Sequence, residues 1–484
     1  MKTIISFITV IRITFLTGLT LLLGFCSFGC LTPDNHALQE PDKLKPRILV
    51  TTDIGGDPDD TQSLVRLLVS SSELELEGLV ASASGTPGEL DTFIVRPDLI
   101  LALIDRYDTV FENLLLHHPD FPDPAHLRMM VKSGSPRRGM EHIGPGKDTE
   151  GSRWIESRIL ADDPRPLNIC IWGGQTDLFQ ALIRLKLKLG EAEFRELTRQ
   201  LRVYNINDQD RIHVHFRDTF PDLFHILAKA PEGQDKREGV YRGMYLGGNE
   251  SLTSKEWVYA HIKSGHGALG SLYPDKTWTA PNPHSCLKEG DTPSWFYFLN
   301  PALQDPWEPG FGGWGGRFKK EAGNYYTDDR DRVKGQYSAR ATVWRWREAF
   351  QNDFAARMDW CVLSYPEANH APELQLKVRG CERLTREKGI WKLQARSGKK
   401  IRLNAAGSRD PDGDQLDFRW WIYPEASGLP DDLAIPTIHE AAMDLDPTQL
   451  PDSDAVHLIL EVRDHGKPAL TSYQRIILFP PPAS

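Results

Sequence analysis

The segment Arg47-Ile-Leu-Val-Thr-Thr-Asp-Ile-Gly-Gly-Asp-Pro-Asp-Asp60 joins a short apolar run to a turn that carries four carboxylates. The run Arg47–Thr52 is typical of a buried parallel strand. Two glycines within the turn permit a tight backbone. The carboxylates of this acidic turn belong to Asp53, Asp57, Asp59 and Asp60. In a parallel sheet, ligands bind beyond the carboxyl ends of the strands, so the acidic turn stands where sites occur.

Outward from this segment, apolar runs of strand length alternate with stretches of helical spacing. Strands are predicted at 47–52, 76–83, 167–172 and 201–206, and helices at 62–68, 98–105, 124–133, 178–189, 223–228 and 341–358. From about 230 to 330 the chain is dense in Tyr, Trp, Gly and Pro, which predicts long irregular loops. Strands that alternate with helices predict an α/β fold, a mostly parallel sheet flanked by helices.

The carboxyl-terminal part of the chain has a different pattern. Beyond the short linker 367–372, apolar and polar residues alternate over 456–463, as expected for a half-buried strand. Similar runs at 400–403, 416–423 and 473–479 are separated by turn sequences. Short strands over about 110 residues predict an all-β immunoglobulin-like sandwich. We therefore expect a main domain at 46–366 and a β-sandwich domain at 373–484.

The amino-terminal thirty residues predict export of the protein. A basic start precedes the apolar run Ile13–Gly29, which suits a signal peptide at 1–30 better than a membrane-spanning helix. Cys30 follows a loose lipoprotein-like cleavage box, so a lipid anchor at this residue and simple cleavage both stay open. Residues 31–45 are polar and are expected to form a linker. The protein is predicted to be periplasmic, secreted or lipid-anchored.

Charge and cysteine content argue against three classes of protein. A net charge of -10 argues against a nucleic-acid partner, since phosphate binding needs clustered basic residues. Four widely spaced cysteines beyond residue 30 form neither a disulfide scaffold nor a zinc ribbon. Cys170 lies in an apolar run and is predicted to be a buried thiol. A disulfide between Cys361 and Cys381 stays open.

The acidic turn also predicts a cation site. Four carboxylates brought together would repel one another, and some would have to bind protons. A hard cation with oxygen ligands removes this cost, and Ca²⁺ prefers such ligands. The spacing differs from that of an EF-hand loop. The alternative from the residues alone is a solvated acidic turn without a metal.

The acidic turn resembles the amino-terminal fingerprint of the nucleoside hydrolases, in which an Asp-rich turn after the first strand holds Ca²⁺. The resemblance implies that Asp53 is both the catalytic base and a calcium ligand. It implies further that Asp59 binds the sugar hydroxyls and that Asp60 binds calcium. This sequence has the longer form of the turn, so Asp57 is an additional residue whose role the resemblance leaves open.

Further motifs extend the resemblance along the chain. The segment Trp172-Gly-Gly-Gln-Thr-Asp-Leu178 resembles a family turn in which a Thr backbone carbonyl ligates calcium, which implies that role for Thr176. It lacks the Pro and Asn of that turn. The segment Glu289-Gly-Asp-Thr-Pro-Ser294 implies Asp291 as the last calcium ligand. Together with the motifs at 266–270, 312–317 and 368–372, these segments are most similar to a cellulose-binding subgroup of nucleoside hydrolase-like proteins.

The resemblance implies a calcium-dependent hydrolase of N-glycosyl (ribosyl) or related glycosidic bonds that acts on a nucleoside or riboside. His266, Trp314 and Arg317 are candidates for contacts with the substrate and its leaving group. The alternative is a non-catalytic cellulose- or polysaccharide-binding protein that uses the same pocket and exposed aromatic side chains of 270–330. Nothing in the sequence predicts the oligomeric state.

Overall fold

The strand that precedes the acidic turn, β1 (Arg47–Thr52), is buried along its whole length within an eight-stranded sheet. It pairs in parallel with β2 (Glu75–Ala81) on one side and β4 (Leu167–Ile171) on the other. In this computed structural model the described residues are 44–85, 88, 90, 92–275, 286–300, 302–430, 437–450 and 453–481. The predicted signal peptide and residues 31–43 of the predicted linker lie outside them. Along the described part of the chain, no helix is long and apolar enough to cross a membrane.

The remaining elements of the main domain follow the alternating pattern. The helices are α1 Asp59–Val69, α2 Pro97–His117, α3 Pro124–Met130, α4 Glu150–Ile159, α5 Gln175–Leu189, α6 Glu191–Thr198, α7 His213–Thr219, α8 Lys255–Val258, α9 Gly267–Ser271, α10 Thr292–Phe296, α11 Ala341–Trp344 and α12 Arg347–Asp359. The further strands are β3 Val131–Ser133, β5 Leu201–Ile206, β6 Phe224–Ala228, β7 Phe318–Ala322, β8 Tyr325–Asp328, β9 Asp331–Val333 and β10 Gln336–Ser338.

The large sheet has the strand order β3-β2-β1-β4-β5-β6-β8-β7. All neighbouring pairs are parallel except β7 with β8. Alternate residues of β1 enter different cores because side chains of a strand point to opposite faces. Ile48 and Val50 pack with residues of α1, α2 and α12, whereas Leu49 packs with residues of α4 and α5. The predicted α/β sheet flanked by helices is confirmed.

Two of the predicted helices are wrong in part or in whole. Residues 223–228 were expected to form a helix, but Phe224–Ala228 is the fully buried strand β6 between β5 and β8. The predicted helix at 124–133 ends at Met130, and Val131–Ser133 forms β3. An apolar run of five or six residues carries no periodicity that separates a buried strand from a buried helix, so its neighbours in the sheet decide.

The carboxyl-terminal part forms two sheets that pack on each other. Its strands are β11 Lys377–Arg379, β12 Arg383–Glu387, β13 Ile390–Gln394, β14 Ile401–Asn404, β15 Leu416–Ile422, β16 Ala442–Leu445, β17 Val456–Asp464 and β18 Thr471–Phe479. A three-stranded sheet has the order β11-β14-β16, and a five-stranded sheet has the order β12-β13-β18-β17-β15. Their inner faces share one apolar cluster that includes Leu393, Leu403 and Trp420. The predicted β-sandwich is confirmed.

The β-sandwich contacts the main domain through buried polar groups. The Arg475 guanidinium donates to the backbone carbonyls of Leu303 at 2.6 Å and of Phe311 and Gly312 at 2.8 Å. The Tyr423 hydroxyl donates to the buried Asp331 carboxylate at 2.6 Å. The chain from Lys45 onward accordingly forms one compact unit.

The described cysteines are free thiols. Cys170 is fully buried in β4, which confirms the prediction for this residue. Cys361 and Cys381 are both free, so the disulfide that the sequence left open is not formed.

Candidate metal centre

The acidic turn connects β1 directly to α1. The Thr52 hydroxyl at the end of the strand donates a hydrogen bond to the Asp60 carboxylate in the first turn of the helix. The backbone N–H of Gly56 donates to the Asp53 carbonyl at 3.2 Å, which closes the turn between them. Asp59 and Asp60 both lie in the first turn of α1, where the positive end of the helix dipole favours negative charge.

The neighbouring strand ends approach the acidic turn closely. The backbone N–H groups of Ser82 and Trp172 donate to the carbonyls of Thr52 and Thr51 at 2.8 and 2.9 Å. The Ser82 hydroxyl donates to the carbonyl of Gly173 at 2.9 Å. A Cβ atom on Gly173 would lie only 2.3 Å from Asp53 Cγ. The glycine after Trp172 therefore allows the end of β4 to pass against the Asp53 side chain.

Asp59, Asp60 and Asp291 form a group whose carboxylate oxygens lie within 4.8 Å of one another. Asp291 immediately precedes α10 and is buried. Burial, followed by the negative charges of the neighbouring aspartates, raises the pKa of Asp291 well above its usual range. Among the described residues, Asp291 Oδ2 has no hydrogen-bond partner although it is shielded from solvent. A converging set of carboxylate oxygens with such an orphaned atom fits Ca²⁺.

Side chains of α1 hold the segment that carries Asp291. The Gln62 amide donates to the carbonyl of Cys286 at 2.7 Å and accepts from the Lys288 backbone N–H at 2.7 Å. Two turns into the helix, the Arg66 guanidinium forms a buried ion pair with Glu289. Because Asp59 and Asp60 begin the same helix, α1 fixes three of the carboxylates relative to one another.

Asp57, whose role the sequence left open, forms an ion pair with Lys288. Burial lowers the pKa of Lys288 to about 8, while Asp291 opposes this shift. The pair gives the extra aspartate of the longer turn a partner from the Asp291 segment. Asp57 therefore joins the two acidic segments at a second point.

Sequence analysis missed an aromatic and basic group beside Asp59. A Cβ atom on Gly290 would lie 3.2 Å from Tyr241 Cδ2 and 3.4 Å from Asp59 Oδ2, so the two side chains flank this glycine. Arg242 donates to the hydroxyls of Tyr241 at 3.1 Å and of Tyr245 at 2.6 Å. These residues lie in and beside a 3-10 helix within the irregular segment, where no periodicity distinguishes them.

Thr176 and His266 have hydrogen-bond partners other than the carboxylates of Asp59, Asp60 and Asp291. Thr176 is the second residue of α5, and its backbone N–H and hydroxyl donate to Asp210 at 2.8 and 2.6 Å. His266 precedes α9 and pairs with Asp359 at the end of α12, at 3.0 Å. Their predicted roles as calcium ligand and substrate contact stay predictions.

Trp314 and Arg317, the other predicted substrate contacts, have structural partners. The Trp314 ring is buried against Phe296, Phe350 and Tyr473. Arg317 is buried, and its guanidinium pairs with Asp331 at 2.8 Å. The polysaccharide-binding alternative relies on exposed aromatic side chains within 270–330, and two of the tryptophans of this segment, Trp295 and Trp314, are buried. The glycines around Trp314 explain this arrangement, since they let the segment pack tightly: a Cβ on Gly315 would lie 2.4 Å from the Tyr297 nitrogen.

Comparison with known proteins identifies the family. Residues 47–318, more than half of the 484-residue chain, match the family described as cellulose-binding Sde182, nucleoside hydrolase-like domain. Residues 400–480 match the family described as cellulose-binding protein Sde0182, C-terminal domain. No curated protein matches the chain.

One solved structure is similar over almost the whole molecule. It is described as a nucleoside hydrolase-related hypothetical protein from Saccharophagus degradans that is associated with carbohydrate metabolism. The two chains are 31% identical, with a TM-score of 0.72, and the match covers 90% of this chain and 99% of the other. The chain therefore belongs to the cellulose-binding Sde182 family of nucleoside hydrolase-like proteins, with that family's carboxyl-terminal domain.

Proposed function

We propose that the protein is an exported, calcium-dependent hydrolase of N-glycosyl (ribosyl) or related glycosidic bonds. The observation that carries the proposal is the convergence of the half-buried Asp59 with the buried Asp60 and Asp291 at the carboxyl end of β1, beside Asp53. Such a group is costly without a cation, because buried like charges repel and their desolvation is not compensated. A cation that Asp60 and Asp291 hold, with Asp53 beside it, offsets that cost.

The residues of this chain can divide the hydrolytic reaction among them. Asp53 accepts a proton from water as the water oxygen forms a bond to the anomeric carbon. The bond between that carbon and the leaving group breaks through an oxocarbenium-like transition state, and the proton is carried away by the released leaving group. Asp59, which is half-buried, accepts hydrogen bonds from the sugar hydroxyls. Bound Ca²⁺ would supply Lewis acidity and orient the hydroxyls.

A hydrolysis assay tests this proposal. The purified protein is incubated with inosine, uridine and p-nitrophenyl riboside in the presence of calcium or of EDTA. We expect calcium-dependent release of the base or nitrophenol and a loss of at least about 10³-fold in Asp53→Asn, which keeps the shape of the side chain but cannot accept the proton. Wild-type protein that binds calcium yet hydrolyses none of these substrates would contradict the proposal for ribosides.

Non-catalytic polysaccharide binding is the second candidate function. Both matching families are described as cellulose-binding, and the solved relative is described as associated with carbohydrate metabolism. This association also supports a location outside the cytoplasm, where such polymers occur. The two candidates separate cleanly, because a binding protein retains polysaccharide affinity in Asp53→Asn whereas a hydrolase loses turnover.

A further inference from the structure

A cleft of about 460 Å³ lies between the amino-terminal end of α12 and the five-stranded sheet of the β-sandwich. Its volume falls in the range of roughly 300–1,000 Å³ that is typical of ligand pockets, which are common between domains. Glu348 and Asn352 line it from α12, and Asp417 and Arg419 line it from β15. None of the carboxylates proposed to bind calcium contributes to its lining.

The pairing of the strands explains why polar side chains gather on this face. Asp417 pairs with Arg463 and Arg419 pairs with Glu461 across β15 and β17. Trp420, the next residue of β15 after Arg419, belongs to the core of the sandwich instead. Residues at alternate positions share a face, so this strip of charged side chains is presented to α12.

Aromatic rings form the floor of the cleft. The rings of Trp346 and Tyr473 meet edge to face, with their centroids 5.5 Å apart, and both residues line the cleft. Trp421 contacts Trp346 with ring centroids 5.7 Å apart and donates from Nε1 to Glu461 at 2.9 Å. The floor is therefore held by several rings and has little freedom to move.

The walls of the cleft carry balanced charge. Its guanidinium groups belong to Arg345, Arg419 and Arg463, and its carboxylates belong to Glu348, Asp417 and Glu461. Arg419 pairs with Glu461 at 3.0 Å, and Arg463 pairs with Glu348 across the cleft at 2.8 Å. Such pairing gives no net field that would attract an ionic ligand. It supplies fixed donors and acceptors in alternation, and each sugar hydroxyl is both a donor and an acceptor.

We propose that this cleft binds a neutral polysaccharide chain, a β-glucan, independently of the acidic turn. The inference rests on the proposed association with polysaccharide and assigns it a place. Hydroxyl groups of the chain exchange hydrogen bonds with the paired charged side chains, and its apolar faces lie toward the aromatic floor. The protein thereby has one site for a polymer and another for a small glycoside.

Two substitutions on opposite walls test the proposal, with cellohexaose as the probe in isothermal titration calorimetry. We expect Arg419→Ala and Glu348→Ala each to weaken binding about ten-fold, the loss of one or two charge-assisted hydrogen bonds. Arg402→Ala is a matched control, because the side chains of Arg402 and Arg419 are each 49% exposed and each pairs with a carboxylate of the neighbouring strand. The control and Asp291→Asn should bind cellohexaose as the wild type does, and affinity should change little with salt.

Other outcomes overturn the inference in distinguishable ways. If cellohexaose binds and Asp291→Asn abolishes binding while the wall variants do not, the polysaccharide association stands and the cleft is the wrong place. Wall variants with wild-type affinity and a wild-type melting temperature contradict the cleft directly. A wild-type protein that binds no cellohexaose contradicts both the cleft and the polysaccharide association, while leaving calcium-dependent hydrolysis to its own assay.

Discussion

At the scale of single residues, Asp291 gives the strongest support for the proposal that the site binds a cation. Its carboxylate is buried, lies within 4.8 Å of those of Asp59 and Asp60, and has a raised pKa because of burial and these neighbours. We expect three carboxylates in this position to destabilise the fold when no cation is bound, because like charges repel. With a cation, the same three side chains contribute to stability instead.

The variant Asp291→Asn should separate these two effects. Without calcium we expect its melting temperature to equal or exceed that of the wild type, since one repelling charge is removed. Saturating calcium, about 100-fold above Kd, should stabilise the wild type by about 2.7 kcal/mol and the variant much less. Differential scanning calorimetry with calcium and with EDTA measures both. Asp444→Asn, in a surface ion pair, is the control, and a full calcium response in Asp291→Asn would contradict the account.

The candidate site residues differ in how far sequence alone could predict them. Asp53, Asp59 and Asp60 stand in one turn after a strand, so local pattern suffices. Asp291 is distant in sequence and was reached only through a resemblance of motifs. For Trp314 and Arg317 the sequence leaves two roles open, because a Trp or Arg in a Gly-rich loop serves equally as a ligand contact or as packing; both residues have packing or ion-pair partners, and their predicted contacts with the substrate stay predictions.

At the scale of elements, the end of β4 determines how the acidic turn is held. Gly173 leaves no room for a side chain beside Asp53. We expect Gly173→Ala to displace Asp53 or the strand end, to destabilise the protein by about 1–3 kcal/mol, and to impair hydrolysis. Gly310→Ala is the matched control, since the nearest atom to its added Cβ is 3.9 Å away.

Urea unfolding and the riboside assay measure both effects of Gly173→Ala. A variant with unchanged stability and unchanged turnover would show that the close packing of β4 on Asp53 affects neither stability nor catalysis. A variant that loses turnover while its stability equals that of Gly310→Ala would assign the effect to the position of Asp53 alone.

Elements whose own sequence carries a clear strand or helix pattern were predicted well, whereas elements whose structure depends on neighbouring strands were not. The bounds of β1 and β5 agree with the predicted strands at 47–52 and 201–206. β6 was predicted to be a helix because its short apolar run has no periodicity of its own. The hairpin β7–β8 was not predicted, since it lies in the irregular segment and its place at the sheet edge depends on β6.

At the scale of the whole molecule, a buried histidine and arginine join the β-sandwich to the main domain. Arg475 Nη1 lies 2.8 Å from His457 Nδ1, and the same guanidinium binds carbonyls of the segment 303–312. Burial, followed by the charge of Arg475, lowers the pKa of His457 to about 2. The neutral imidazole therefore accepts a hydrogen bond from Arg475. Protonation of His457 would place a second positive charge beside this guanidinium.

This arrangement predicts a loss of stability in acid. The folded pKa of His457 is depressed below its unfolded value of about 6.5, so the stability it contributes is present above pH 6.5 and is lost as the pH falls toward 2. Between pH 7 and pH 4 the contribution of His457 lowers the free energy of unfolding by about 3 kcal/mol. Urea unfolding should show that the free energy of unfolding falls less steeply with decreasing pH in His457→Gln, whose side chain can still accept the hydrogen bond from Arg475. His126→Gln, at an exposed position, should follow the wild type, and equal slopes in all three proteins would contradict the prediction.

Calorimetric titration of Ca²⁺ into the purified protein measures whether the carboxylates after β1 and before α10 bind calcium, as we propose. Asp60→Asn is the comparison, because the amide oxygen can still accept the hydrogen bond from Thr52 while the charge is lost. We expect saturable binding of one calcium ion by the wild type and at least about ten-fold weaker binding by the variant. A wild-type protein that binds no calcium, or a variant that binds it equally well, would contradict the account.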